Sequence, residues 1–270
     1  MIAGRPSLRY EIDLAELPGR LHEAYHPLDQ DAATAEWIDG AIRQPHGWWR
    51  VRAKRLLDHV LSHYDSNGLL DMYDMWLLSS AAWGTFLEGR LGGRLLDVGA
   101  GDGRVTAELA THFAETETVE TSRQMVKRLR ERGFRCHEVD LARRKDVAQG
   151  PFDVVSLLNV LDRSLYPRRL LEACVERLGP GGALVLSTPL PLRQHVFVAG
   201  EAVDAEERLG DRHASFEAAL KALIEDVLEP SGLDVRRFAR APYLSRGDYA
   251  TALYALDSAL IVCEVAPAAE

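Results

Sequence analysis

The chain has 270 residues, 47% hydrophobic and 27% charged, with a net charge of −9. That is the composition of a soluble globular protein with a sizeable core, and the length allows one large domain or two small ones. The acidic balance argues against broad nucleic-acid binding, which needs a basic face. The lack of any run near about 18 apolar residues argues against a membrane span.

From Met1 to Ser7 there is no apolar leader, so the expected compartment is the cytoplasm. Residues 1–90 read as a helical region that caps the substrate side, with helices over 13–25, 31–43, 47–64 and 71–88. Breaks fall at Pro27, Pro45 and Ser66-Asn67-Gly68. All five tryptophans lie here: Trp37, Trp48, Trp49, Trp76 and Trp83. They read as core, with some lining a substrate groove. His22-Glu23-Ala24-Tyr25-His26 matches the H-E-x-x-H zinc-protease helix. Pro27 follows at once and no third ligand is identifiable, so the motif reads as structural and no metal is expected. Cys136, Cys174 and Cys263 are odd in number and far apart, and read as buried thiols.

From residue 91 the pattern alternates strand and helix, which predicts a parallel sheet within a cofactor-binding domain over 91–270. Strands are expected at 94–98, 116–120, 134–139, 152–158 and 183–187. Helices are expected at 103–112, 122–132, 167–178 and 215–229. Residues 190–213 read as a charged loop, a plausible lid. The last strands, 233–240 and 256–265, pair at the sheet edge with one strand reversed.

The stretch with most chemistry is Leu95-Leu96-Asp97-Val98-Gly99-Ala100-Gly101-Asp102-Gly103. A short apolar strand runs into three glycines at alternate positions, and a helix follows. Glycine there permits a tight turn and close approach to a ligand. Dinucleotide sites use G-x-G-x-x-G, which suits a pyrophosphate. Here the spacing is G-x-G-x-G between Asp97 and Asp102, which suits S-adenosylmethionine, a cation without phosphate. Glu120, seventeen residues after Gly103, is placed to accept the ribose hydroxyls, and Asp140 is placed for the adenine amino group. At the end of the fourth strand of this domain stand Asn159, Asp162 and Arg163, where a donor methyl would point. An amide and a carboxylate suit a nucleophile that needs orienting and one proton accepted. Arg163 reads as a partner for a carboxylate.

The glycine stretch with Val105-Thr106, Glu120-Thr121-Ser122, Leu158-Asn159-Val160-Leu161-Asp162-Arg163 and Ala241-Pro242-Tyr243-Leu244 resembles the DREV family, the methyltransferase-like-nine proteins. Asn67-Gly68-Leu69-Leu70 and Gly247-Asp248 also match. The likeness covers about residues 65–265. It implies an α/β class I (Rossmann-like) methyltransferase fold, with a mostly parallel seven-stranded sheet and an N-terminal helical extension. It further implies S-adenosyl-L-methionine as methyl donor, S-adenosyl-L-homocysteine as product, and transfer to the pros nitrogen of histidine in His-x-His peptides or proteins. By that resemblance Asn159, Asp162 and Tyr243 contact the imidazole. Asp97, Gly99, Ala100, Gly101, Gly103, Glu120, Thr121, Asp140 and Asn159 hold the cofactor. The expected partner is a histidine-containing peptide or protein, with no nucleic acid and no membrane. Two other readings stay open: a methyltransferase for a small imidazole or amine metabolite, and a non-catalytic cofactor-binding module.

Overall fold

A computed structural model describes residues 7–198, 201–210 and 213–266. The N-terminal region is less helical than its spacing predicts. Between 13 and 25 only two 3-10 turns form, Leu14–Glu16 and Gly19–Ala24. Pro18 lies between them and cannot donate to a continuous ladder. Helices α1 (Ala32–Arg43), α2 (Trp48–Leu57) and α3 (His63–Leu70) follow. Asp31 caps α1, its carboxylate accepting the Thr34 N–H at 2.7 Å.

The helix expected over 71–88 is corrected to a strand and a shorter helix. Asp71 stops α3 in the left-handed region (φ 54°). Strand β1 (Met75–Trp76) then pairs with Leu244 and Ser245, about 170 residues away in sequence. Helix α4 (Ser80–Phe86) starts only at its Ser79 cap. A long-range strand pairing has overridden a helical pattern, which local periodicity cannot foresee.

From residue 94 the elements follow the expected order: β2 (Arg94–Val98), α5 (Arg104–Ala110), β3 (Glu115–Glu120), α6 (Arg123–Glu131), β4 (Arg135–Glu138), β5 (Phe152–Leu158), α7 (Pro167–Val175) and β6 (Leu178–Pro189). A small hairpin, β7 (Val196–Val198) with β8 (Glu201–Val203), lies within the segment read as a loop. Residues 199–200 and 211–212 of that segment lie outside the described residues. Helix α8 (Phe216–Leu223) passes into a π-turn over Ile224–Leu228. Strands β9 (Leu233–Arg240), β10 (Tyr243–Arg246), β11 (Leu253–Leu256) and β12 (Ser258–Val265) close the chain.

The central sheet has the order β4-β3-β2-β5-β6-β12-β9. Its strands are parallel except β12, which runs antiparallel to both neighbours. This is the class I methyltransferase plan, with its topological switch between β2 and β5. A second sheet, β1-β10-β11, is antiparallel.

Alternation along the strands sends neighbours to opposite faces. Leu96, Val155, Leu184 and Ile261 pack with Leu171, Leu220 and Ile224 on one side, where Ile12, Leu17 and Leu21 also join. Leu95, Val154, Val185 and Leu260 pack with Leu109, Trp83 and Phe86 on the other. Residues before 91 thus contribute to both layers. His22 sits on a 3-10 turn, where a four-residue spacing does not share one face, and its Nε2 lies 3.1 Å from the Leu17 carbonyl. The His26 ring is edge-on to Phe86.

Candidate active site

Three glycines at φ 74°, 58° and 85°, Gly99, Gly101 and Gly103, carry the chain from β2 into α5. A Cβ on Gly99 would meet Val160 Cγ2 at 2.5 Å, and one on Gly101 would meet Tyr73 Cε1 at 2.6 Å. Both dihedral and space therefore exclude a side chain. Ala100 packs beside Val126 and Leu129 of α6. The turn is anchored from β3: the Gly99 N–H donates to Val119 O at 2.8 Å, and the Gly101 N–H donates to Glu120 Oε2 at 2.9 Å.

Glu120 ends β3 almost fully buried. Its other oxygen accepts the N–H groups of Thr121 at 2.7 Å and Ser122 at 2.9 Å. Burial pushes its pKa up, and these backbone hydrogen bonds pull against that shift. Asp97 is buried too. Its oxygens accept the hydroxyls of Thr106 at 2.6 Å and Ser156 at 2.7 Å, so it braces β2 against α5 and β5 from beneath the turn. Burial likewise raises its pKa. Asp102, read from sequence as a counter-charge for the cofactor, instead pairs with Arg104 and Arg132. Asp140 follows β4 half-exposed; its carboxylate accepts the Ala142 N–H at 3.0 Å and pairs with Arg143 at 3.4 Å.

A glycine turn anchored on a buried carboxylate, Glu120, fits S-adenosylmethionine, a cation without phosphate. Glu120 at the strand end retains acceptor capacity beyond the three backbone bonds.

A second group of candidate residues stands at the end of β5. Asn159 takes a left-handed backbone (φ 60°), and its N–H donates to Ser187 O at 2.7 Å. Its side chain is buried at 3% exposure, and neither Oδ1 nor Nδ2 has a partner. Asp162 follows on the 3-10 turn Leu161–Arg163, 5% exposed, with Oδ1 buried and unpartnered. Burial raises its pKa, and the Arg163 guanidinium, 3.9 Å away, opposes that shift. Tyr243 opens β10, buried, and burial lifts its pKa well above the usual phenol; Tyr73, Asp97 and Arg163 are among the groups acting on it. Val160 sits against Gly99, and Tyr73 and Asp97 act on Tyr243, so the end of β5 and the start of β10 lie beside the glycine turn.

Sequence reasoning missed Tyr73, which lies over Gly101, and Tyr64, whose ring centroid is 6.4 Å from that of Tyr73. Burial pulls the pKa of the half-buried Arg163 down, and both tyrosines, with Asp162, outweigh that pull and raise it. No local pattern marked them, because β1 and α3 reach the turn only through tertiary packing.

A family model described as DREV methyltransferase matches residues 10–265. The ubiquinone biosynthesis O-methyltransferase of Xanthomonas oryzae pv. oryzae (strain PXO99A) is 33% identical over 106 residues, 36% of this chain and 43% of its own. The protein of that name from Psychrobacter cryohalolentis is 24% identical over 149 residues, 52% of this chain and 58% of its own. The match thus spans about half the length of these curated relatives. Among solved structures, a S-adenosylmethionine-dependent methyltransferase of Leishmania major is 17% identical over 84% of this chain and 83% of its own, with a TM-score of 0.48. N-methyltransferase NodS of Bradyrhizobium japonicum WM9, solved with S-adenosyl-L-homocysteine, is 17% identical over 68% and 84%, with a TM-score of 0.45. The family match runs across the glycine turn, Glu120, the Asn159–Arg163 segment and Tyr243, and the chain belongs to the DREV methyltransferase family.

Proposed function

We propose that this enzyme methylates the pros nitrogen of histidine in His-x-His-containing peptides or proteins, with Asn159, Asp162 and Tyr243 holding the imidazole. One observation carries the reading: Oδ1 and Nδ2 of Asn159, at the end of β5, and Oδ1 of Asp162, on the turn that follows, are buried without a hydrogen bond, with Arg163 Nε 3.9 Å from the Asp162 oxygen. Buried polar groups are ordinarily satisfied, so unsatisfied ones clustered beside a cofactor turn mark the place of a polar ligand. Neutral imidazole matches them, with one N–H donor and one basic nitrogen. The resemblance of the Asn159–Arg163 and Pro242–Leu244 segments to the histidine-modifying family supplies the choice of nitrogen.

Asp162 accepts the N–H of the far nitrogen. That fixes the tautomer and leaves the near nitrogen's lone pair free to attack. S-adenosylmethionine supplies an electrophilic methyl group, so much of the protein's contribution is alignment of the nucleophile. Attack leaves an imidazolium, which the Asp162 carboxylate stabilises and from which it takes the far proton. Burial makes that carboxylate a stronger base, and the Arg163 guanidinium favours its ionised form. Asp97, Gly99, Ala100, Gly101, Gly103, Glu120, Thr121 and Asp140 form the cofactor side. Glu120 receives the ribose hydroxyls, and Asp97 acts by holding the turn in shape.

A small imidazole or amine metabolite is the second reading. It is favoured by the burial of Asn159, Asp162 and Tyr243, at 3%, 5% and 5% exposure. Incubation with S-adenosylmethionine and either His-x-His peptides or free imidazole metabolites, followed by fragmentation mass spectrometry, separates the two. The first reading expects the methyl on histidine within a peptide. A methyl on lysine, arginine or a terminal amine defeats the imidazole assignment, and methylation of free metabolites alone leaves the second reading.

A further inference from the structure

Helix α2 carries Arg50, Arg52, Lys54 and Arg55 and no acid. Between residues 40 and 64 there are five basic side chains, Arg43 included, and one acid, Asp58, in a chain whose net charge is −9. Asp58 is already engaged by Lys54 at 2.7 Å. Arg50 acts on Asp71, so the basic side chains of α2 left exposed are Arg52 and Arg55.

The same helix exposes large apolar groups. Trp48, Arg52, Leu56 and Val60 follow one another at four-residue spacing, along one stripe through α2 and the turn after it. Trp48 is 64% exposed, Leu56 72% and Val60 78%, and Trp49 flanks the stripe at 55%. Arg52, Arg55 and His59 are exposed beside them. The opposite face is the packed one: Val51 is buried, and Lys54 turns inward to Asp58 and His63. Isolated exposed apolar residues need no explanation, but four of them interleaved with cations on one helix do.

We propose that α2 and the turn to Val60 form a membrane-surface docking element for a bilayer rich in anionic lipid. No helix among the described residues is long and apolar enough to cross a membrane, so the contact is peripheral. The chemistry matches the interface: tryptophan and leucine enter the headgroup boundary while arginines meet lipid phosphates. Charge complementarity selects the occupant, because an overall acidic protein is repelled by an anionic surface everywhere except at such a patch. A nucleic acid would be drawn by the arginines but would leave Leu56 and Val60 in water. This inference is independent of which acceptor the enzyme methylates.

The test is co-sedimentation of the full chain with phosphatidylcholine vesicles, with and without phosphatidylglycerol. Binding is expected only with phosphatidylglycerol, and weaker as salt rises. Reversing two charges in R52E/R55E should weaken partitioning by at least about 30-fold, from about 1 kcal/mol per basic side chain near an anionic surface. Replacing the apolar stripe in L56S/V60S should also weaken it while leaving the charge unchanged. These four side chains are exposed, so S-adenosyl-L-homocysteine affinity and melting temperature should stay at wild-type values in both variants. No binding to phosphatidylglycerol vesicles would overturn the proposal. So would binding insensitive to both variants, or tight binding of duplex DNA through the same arginines without vesicle binding.

Discussion

Glu120 accepts three backbone N–H groups and Asp97 two hydroxyls, whereas Asn159 and Asp162, one strand away on the other side of β2, leave three buried atoms unanswered. Both pairs are buried, so the contrast is not one of solvent access. The cofactor side is assembled by the chain itself: its acids define the shape of a turn that glycine alone permits. The group at the end of β5 is left open in hydrogen-bonding terms, at a cost in stability. Substitutions on the two sides should therefore fail differently.

The largest effect is expected at Asp162. Asp162→Asn preserves shape and removes the charge, and should lower turnover by about 10²–10⁴-fold, the range for a positioned acid–base group. Its stability should move the other way. Burial raises the folded-state pKa of Asp162 above its unfolded value. The protonated form thus favours the fold: that contribution is full below the unfolded carboxyl pKa and is lost as pH rises through the folded one. As pH rises the wild type takes on a buried charge that the variant never carries. Asp162→Asn should melt no lower than wild type at neutral pH, and any advantage should shrink on acidification. Calorimetric melts across pH check this, and a variant that is both inactive and markedly less stable would recast Asp162 as structural.

Glu120→Ala comes next. It removes the acceptor of three N–H groups and should weaken S-adenosyl-L-homocysteine binding by about 1–3 kcal/mol, the scale for losing charged hydrogen bonds. Titration calorimetry reads this directly, and unchanged affinity would break the assignment of β3 to the cofactor side. Tyr243→Phe should cost less than Asp162→Asn in turnover, with cofactor affinity intact. A loss equal to that at Asp162 would place the phenol hydroxyl on the reacting ring. The smallest effect is expected far from both sides. His22→Ala with His26→Ala should leave methyl transfer within about twofold, since surface and peripheral substitutions rarely reach further. Chelator sensitivity restored by zinc would refute that placement.

The glycine turn and its anchor at Glu120 were legible in sequence because their constraints are local. Positive φ at three alternating residues demands glycine, an apolar strand must precede them, and the next strand ends in Glu120. The order of β2 to β6 was legible for the same reason, since β2, β3 and β5 are each followed by a helix, with Gly133 after α6 and Gly179 after α7. Asn159 and Asp162 could be placed at a strand end, but their lack of partners emerges only from packing. What stayed hidden is non-local. Met75–Trp76 reads as helix until Leu244 and Ser245 arrive to pair with it, and Tyr73 is invisible as a cover for Gly101 until that strand is in place. Asp102 looked like a cofactor acid because nothing in the sequence showed Arg104 and Arg132 converging on it.

The central claim, that the unanswered atoms await the acceptor ring, is tested most directly by calorimetric titration of a His-x-His peptide into enzyme saturated with S-adenosyl-L-homocysteine. Wild type, Asn159→Ala and Asp162→Ala are compared. Each variant should bind the peptide about 10- to 100-fold more weakly, the equivalent of about 1–3 kcal/mol for a lost charged or buried hydrogen bond, with S-adenosyl-L-homocysteine affinity held within about twofold. Peptide affinity unchanged in both variants, or lost in step with cofactor affinity, would contradict the account.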